Sequence, residues 1–557
     1  MPTVEFQPSG RKIAVKSGIT LLEAAFVAGV MLESPCGGAG VCGKCKVRLP
    51  PTSRDAVRTD RELLPSAEIA QGYVLACHTV VLGDVTVFLQ EKHDGNMKIL
   101  RTGKSIDLPL QPAVTKTYLA TLDRTMVKNE LGEVIASEPG DTTAYNAALA
   151  VDIGTTTLVV SLIDLSTGRE LASRSALNPQ ALRAGDVLSR IKIGSTPEGL
   201  ALLYGEIATE IDRLTGELSL ETGVNRRFIY ETVYAGNTCM LHLAANVNPH
   251  SLGRLPFTPA LNAPTRIPAH QLGLNISPGG VVLLPPIVSG FVGADITAGM
   301  LSTGLEHLPG ATLFIDIGTN GEMVLNRDGR MLATSTAAGP AFEGMNISCG
   351  MRALPGAVEF FKITEGQPTL RTIGGTPAVG LCGSGLIDIV AELVAAGAVD
   401  HNGKLLRPAA AMASPLQKNL VELDGKPAFR VAENVFLRQR DIRQVQLAKA
   451  AVRVGIDLLL RNAGLEPKQL DRVLIAGSFG FHLRTESLIR LGLLPEALGD
   501  RVEFVGNTAL SGARLLLTHV SSRQQLARTA AAVLTVNLAE TPDFQSVFVN
   551  AMSFPQI

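Results

Sequence analysis

Cys36, Cys42, Cys45 and Cys77 fall in the spacing C-x5-C-x2-C-x31-C and use four of the seven cysteines in the chain. Three thiols in one tight loop and a fourth from a distant segment suit a 2Fe-2S cluster, whose two irons need ligands from two directions. Zinc sites favour two C-x2-C pairs, so this pattern is a poor zinc ribbon. Gly37, Gly38, Gly40 and Gly43 punctuate the loop. Residues without side chains let a loop wrap closely around sulfur and aim N–H groups at it. The alternative is a chance set of buried thiols.

The flanks supply a fold for such a loop. Residues 3 to 15 read as two short strands around the turn Pro8-Ser9-Gly10, and Thr20-Leu21-Leu22-Glu23 reads as a capping box opening a helix through Val30. A strand around Val47 follows the loop, and Val74 to Leu89, rich in β-formers, places Cys77 at a strand edge and closes a small sheet. This order resembles the β-grasp ferredoxins over about residues 1 to 92. The five-residue first gap resembles the adrenodoxin and putidaredoxin type.

At 557 residues the chain exceeds a single core, and 46% hydrophobic residues suffice for several domains. Fifty basic and 51 acidic residues leave a formal charge of −1, and no basic block occurs, which argues against nucleic acid as the main partner. The start lacks the charged-then-apolar order of a signal peptide, and no apolar run reaches the roughly twenty residues of a membrane span. The expectation is a soluble, cytoplasmic protein without a membrane partner. Cys239, Cys349 and Cys382 form no disulfide framework and are expected as buried core thiols. Residues 93 to 145 lose strong periodicity and read as a linker or a reduced middle domain. Gly103-Lys104-Ser105 within it looks like the end of a P-loop, but Lys98 stands where that motif needs its first glycine.

Beyond residue 146 a second pattern begins. An apolar strand ends in Asp152-Ile153-Gly154-Thr155-Thr156-Thr157, and about 160 residues on Asp316-Ile317-Gly318-Thr319-Asn320-Gly321-Glu322 repeats strand, turn and strand. Glycine lets such a turn approach phosphate oxygens, hydroxyls and backbone N–H groups donate to them, and an aspartate holds Mg2+ through its water shell. One copy is an ordinary hairpin; two make a phosphate clamp. Asp471 to Gly480 adds a buried strand that delivers Gly477, Ser478 and Gly480, where an adenosine can lie against the backbone. The Gly236-Asn237-Thr238 triplet is echoed at Gly506-Asn507-Thr508. Asp295, Glu322, Glu343 and Asp388 are candidate carboxylates for orienting a water, unranked by sequence.

In this order the motifs resemble the actin, sugar kinase and heat-shock chaperone (ASKHA) ATPases. The expected architecture is an α/β multidomain chain: an N-terminal β-grasp ferredoxin (1–92), the connecting segment (93–145), and a duplicated actin-like, ribonuclease H-like ATPase domain (146–557) with subdomains about 146–310 and 311–557. The fusion resembles the reductive activators of corrinoid proteins, and the tail Thr541 to Pro555 adds to the match. The resemblance implies ATP-dependent one-electron reduction of a corrinoid protein from Co(II) to Co(I) in a methyl-transfer system. Cys36, Cys42, Cys45 and Cys77 would ligate the cluster, and Asp152 and Asp316 would hold Mg2+ through water. Gly154, Thr155, Thr156, Gly318, Thr319 and Asn320 would contact ATP phosphates, Gly477, Ser478 and Gly480 would flank adenosine, and Glu322 joins the two aspartates as a catalytic candidate. No nicotinamide fingerprint is evident, so an external low-potential electron donor is expected; a homodimer is left open. Two other classes remain: a small-molecule kinase with a ferredoxin attached, and a nucleotide-switched electron carrier.

Overall fold

The computed structural model describes all residues except 31, 33, 35–37, 39, 41–42, 60–63, 65, 90–101, 262, 409–415, 478–482 and 557. The N-terminal unit is a five-stranded sheet in the order Arg11–Ala14, Thr3–Gln7, Val85–Leu89, Lys46–Arg48, Tyr73–Leu75. Thr3–Gln7 alternates half-buried and buried residues, as a strand covered on one face should. Against that face lies the helix Leu21–Val27, opened by the expected capping box of Thr20 and Glu23. It ends three residues before the sequence reading placed its end. Val4, Phe6, Leu21, Ala24, Val47 and Val87 make the unit's own core.

Residues 114–139, where periodicity is weak, form a three-stranded antiparallel sheet of Val114–Leu119, Arg124–Asn129 and Val134–Pro139. Burial alternates along the first two strands, but polar residues such as Lys116 and Thr125 take inward positions and the third strand carries a register shift, so no clean apolar period of two is visible.

Two six-stranded sheets carry the rest. The first runs Glu170–Leu177, Thr157–Asp164, Ala147–Ile153, Ile229–Gly236, Val281–Leu284, Thr265–Pro268. The second runs Leu534–Thr535, Arg330–Thr336, Gly321–Arg327, Ala311–Ile317, Arg472–Ala476, Val502–Gly506. Each is built on a strand that meets an antiparallel hairpin partner on one side and a parallel strand on the other: Ala147–Ile153 in the first and Ala311–Ile317 in the second. Both are nearly continuous apolar runs because both faces are covered. Leu149, Val151 and Ile153 face one core while Ala148 and Ala150 face another; Leu313, Ile315 and Ile317 are likewise separated from Phe314. The duplication read from the two turns is thus a duplication of sheet topology.

The topology also corrects one equivalence. Gly236 ends the strand that pairs directly with Ala147–Ile153, and its counterpart in the second sheet is the strand ending at Ala476, beside Gly477. Gly506 ends a strand one place further out. The Gly-Asn-Thr echo therefore marks two non-equivalent strand ends, each solving the same strand-to-helix turn. The helices that do correspond are Ala294–Thr303 and Thr508–Thr518, each following the second parallel strand of its sheet. They pack closely: a Cβ on Gly512 would stand 2.1 Å from the Ala298 carbonyl oxygen. Among the described residues no helix is long and apolar enough to cross a membrane.

Candidate functional site

Both acid-glycine turns empty into one cleft between the two sheets, around a cavity of about 100 Å3. Its lining includes Asp152, Gly154, Thr155 and Thr156 from the first turn, and Asp316, Gly318, Thr319, Asn320 and Glu322 from the second. Gly477 reaches the same cavity, with Asp295, Glu343, Asn237 and Asn507. Each turn is closed by its own glycine, Gly154 N–H donating to the Thr157 carbonyl three residues on at 2.9 Å and Gly318 N–H to the Asn320 carbonyl two residues on at 3.0 Å. The sequence-predicted phosphate residues are therefore brought together from positions far apart in the chain. Ser478 and Gly480 lie outside the described residues.

Five carboxylates crowd this small volume, and burial disfavours the charge of Asp152, Asp295, Asp316 and Glu322. Burial first, opposed by a hydrogen bond from Asn507, pushes the Asp152 carboxyl up to about 6. Burial, then repulsion from Asp152 and Glu343, pushes Asp316 up to about 7. Asp295 and Glu322 are also raised, by burial and then by repulsion from neighbouring acids. Such a cluster is a receptor for positive charge. Carboxylate, hydroxyl and amide oxygens line the cavity, the hard donors that Mg2+ takes from one or two carboxylates while keeping waters and sharing phosphate oxygens.

Glu343 bridges the two turns, accepting from the Thr156 hydroxyl with one oxygen and from the Thr319 hydroxyl with the other. An anion thus already sits between the paired hydroxyls that the sequence assigned to phosphate. Asp388, by contrast, is not brought to the cleft. It is buried in the helix Gly383–Ala395, where Arg484 Nε and the Ser487 hydroxyl donate to it at 2.9 and 2.7 Å.

Four site residues escaped the sequence reading. Asn237 and Asn507 each cap a helix through Oδ1, accepting from Cys239 N–H and Leu510 N–H at 2.9 Å. Each uses Nδ2 to donate across the cleft, Asn237 to Glu322 at 2.8 Å and Asn507 to Asp152 at 2.7 Å. Asn178 Nδ2 donates to the Gly154 carbonyl at 2.8 Å and fixes the first turn from behind. Arg190, fully buried, donates to the Thr155 carbonyl and lies under the same turn; burial pushes its guanidinium down to about 10. The repeated Gly-Asn-Thr was the available signal for the asparagines. For Arg190 it was a charged residue at helical spacing on the same face as Val187, Ile191 and Gly194.

In the ferredoxin-like unit Cys45 and Cys77 face each other with sulfurs 3.2 Å apart. That is far beyond the ~2.05 Å of a disulfide and places two thiols on a common point. Cys77 sits in a single helical turn, Ala76–His78, between two short strands. Gly40 has φ +76°, and a Cβ there would stand 2.0 Å from His78 Nε2, so the loop closes directly onto the Cys77 segment. These features fit a cluster held between loop and strand; Cys36 and Cys42 lie outside the described residues. Of the other cysteines, Cys239 and Cys382 are buried as expected, while Cys349 is half-buried. The unit touches both halves of the clamp. Ser34 N–H donates to the Leu182 carbonyl at 2.9 Å, Lys44 Nζ to that of Gly350 at 2.6 Å, and Arg183 lies over the Phe26 ring.

Comparison with known proteins matches the whole length. Residues 4–82 fit the family described as a 2Fe-2S iron-sulfur cluster binding domain, residues 147–308 the RACo middle region, and residues 310–557 the C-terminal domain of RACo, the ASKHA domain. The corrinoid activation enzyme RamQ of Eubacterium limosum is 31% identical over 545 residues, covering 88% of each chain. The Co(II) methylated amine-specific corrinoid protein reductase of Methanosarcina barkeri is 24% identical, covering 73% of this chain and 76% of its own. The solved structure of a reductive activator for corrinoid, iron-sulfur protein is 32% identical and superposes with a TM-score of 0.73, covering 100% of this chain and 99% of the other.

Proposed function

The chain belongs to the reductive activators of corrinoid proteins, and on that premise we propose that it passes one electron to the Co(II) of a corrinoid protein, regenerating Co(I) for methyl transfer at the expense of Mg-ATP. The observation that carries this reading is the convergence of both acid-glycine turns on one cleft, in a chain that also brings Cys45 and Cys77 together. When bound, a 2Fe-2S cluster supplies a one-electron store, at roughly −400 mV in plant-type centres.

Cys36, Cys42, Cys45 and Cys77 hold the cluster. Asp152 and Asp316 would orient the water shell of Mg2+, while Thr155 and Asn320, with Thr156 and Thr319 once they release Glu343, hold the phosphates, which Gly154 and Gly318 let come close because they carry no side chain. Gly477, Ser478 and Gly480 flank the adenosine. The buried guanidinium of Arg190 biases the first turn toward an anion. Glu343 and Glu322 are the carboxylates placed to orient the attacking water, and Asp388 takes no part.

Reduction of a corrinoid harder to reduce than the donor runs uphill, and every ~59 mV of mismatch costs a factor of ten in equilibrium. The protein answers through shape. Nucleotide between the two sheets closes the cleft, and the closed form binds the partner in a state that accepts the electron more readily. No G-x-G-x-x-G follows a strand in the first half of the chain, and the electron enters from an external low-potential donor.

The test is anaerobic visible spectroscopy of a Co(II) corrinoid protein mixed with this protein and a strong reductant, with and without Mg-ATP. A Co(I) band that requires ATP is the expected result. Equal reduction without nucleotide refutes the ATP step. Reduction of the cluster and consumption of ATP with no Co(I) refutes the corrinoid step and leaves the kinase reading.

A further inference from the structure

Residues 102–113, the first described part of the connection between the ferredoxin unit and the clamp, follow the ends of the elements that form the nucleotide cleft. Thr102 accepts from the Asn507 N–H at 3.0 Å, and Lys104 N–H donates to the Val505 carbonyl at 2.7 Å. Gly103 and Gly506 thereby form an antiparallel bridge. The fit is tight: a Cβ on Gly103 would stand 2.3 Å from the Asn507 carbonyl oxygen. Ser511 donates its hydroxyl to the Gly103 carbonyl at 3.1 Å, and Lys104 pairs with Glu503 at 2.7 Å.

Further along, the tether meets the far ends of the two corresponding helices. Ile106 N–H donates to the Ser302 carbonyl near the end of Ala294–Thr303 at 2.9 Å. Gln111 and Ala113 N–H donate to the Thr518 and Leu517 carbonyls at the end of Thr508–Thr518, at 2.7 and 2.9 Å. Each helix begins in the cleft, where Asp295 and Thr508 line the cavity, and ends on the tether about 15 Å away at 1.5 Å per residue. A packed helix moves as a rigid body, so a shift at one end arrives at the other.

We infer that Asn507 is the positioning residue that couples the nucleotide cleft to the ferredoxin tether. Its side chain holds Asp152 of the opposite sheet, its Oδ1 caps the helix Thr508–Thr518, and its backbone N–H holds Thr102. A hydrated cation drawn to Asp152 competes for that carboxylate with Asn507 Nδ2. Release of this strut lets the start of the helix and the adjoining strand end shift, and the tether loosens with them. Nucleotide state is thereby converted into freedom of the electron-carrying unit. The inference rests on the nucleotide reading of the cleft given above.

The experiment is hydrogen exchange over residues 102–113 of the full-length protein, with and without Mg-AMPPNP, alongside calorimetric titration of the same nucleotide. In the unaltered protein nucleotide should accelerate exchange of the Lys104 and Ile106 amides about tenfold, the factor expected for one charge-assisted hydrogen bond lost. Gly103→Ala, outside the cleft, should exchange fast in both states while binding nucleotide within about twofold of the unaltered protein. Asn507→Ser keeps a cap for Leu510 but cannot reach Asp152, and its tether should exchange fast and no longer respond at saturating nucleotide. Asn237→Ser, which cuts the other strut, should keep the response. Bound nucleotide with unchanged tether exchange overturns the coupling, as does a response that survives Asn507→Ser or vanishes in Asn237→Ser. Absence of any nucleotide binding overturns instead the reading beneath it.

Discussion

Replacing Asp316 by Asn should stabilise the nucleotide-free protein while ending its turnover of nucleotide. Burial, and then repulsion from Asp152 and Glu343, raise the folded carboxyl from 3.8 to about 7. A displacement of about three units corresponds to about 4 kcal/mol against the ionised fold, and water in the open cleft screens the repulsive part, leaving about 2 kcal/mol. Because the folded value lies above the unfolded one, the folded state binds the extra proton between about pH 4 and 7, and stability falls as pH rises through that window. An amide does not titrate. The advantage of Asp316→Asn should therefore be small at about pH 4.5, grow through about pH 6, and level off above about pH 7.5. Urea unfolding of the metal-free and nucleotide-free proteins at several pH values measures it. A loss of stability at pH 8, or a gain independent of pH, would refute the claim that crowded negative charge strains this cleft.

Replacing Cys77 by Ser should remove or alter the visible absorption of the cluster and leave nucleotide turnover in place; absorption unchanged from the parent would exclude Cys77 as a ligand. Glu343→Gln keeps the shape of the bridge between Thr156 and Thr319, so turnover should drop about a hundredfold, the lower range for a positioned general base. Affinity for a non-hydrolysed nucleotide should stay within about threefold, and an equal loss in both would make Glu343 a binding group only. Asp388→Asn should cost about 3 kcal/mol in urea unfolding, because it strips a buried partner from Arg484. Its turnover per folded molecule should match the parent, and a selective loss would return Asp388 to the list of cleft acids.

What could be read from the sequence was what the chain builds locally. The capping box at Thr20 and both acid-glycine turns are decided within a few residues, so they were visible at once, and the spacing of the turns revealed the repeated sheet. Features joining distant segments were hidden. The Asn507–Asp152 contact spans 355 positions, and nothing near either residue announces the other. The Gly-Asn-Thr triplets misled for a physical reason: glycine followed by an asparagine cap suits any strand that turns into a helix, so the same three residues arose at strand ends of different rank. Asp388 misled because a glycine-rich helix start looks the same whether it faces a ligand or a neighbouring backbone. Gly383 and Gly385 face the carbonyls of Phe342 and Val358.

The ferredoxin unit keeps its hydrophobic core to itself, and the contacts described above between it and the clamp are two hydrogen bonds to main-chain carbonyls and one cation over a ring. A main-chain carbonyl is available whatever side chain its residue bears. Under the function proposed above, the electron source is therefore close to an interchangeable cartridge: grafting in another small ferredoxin would reset its voltage, while the motor proposed to consume nucleotide would stay as it is.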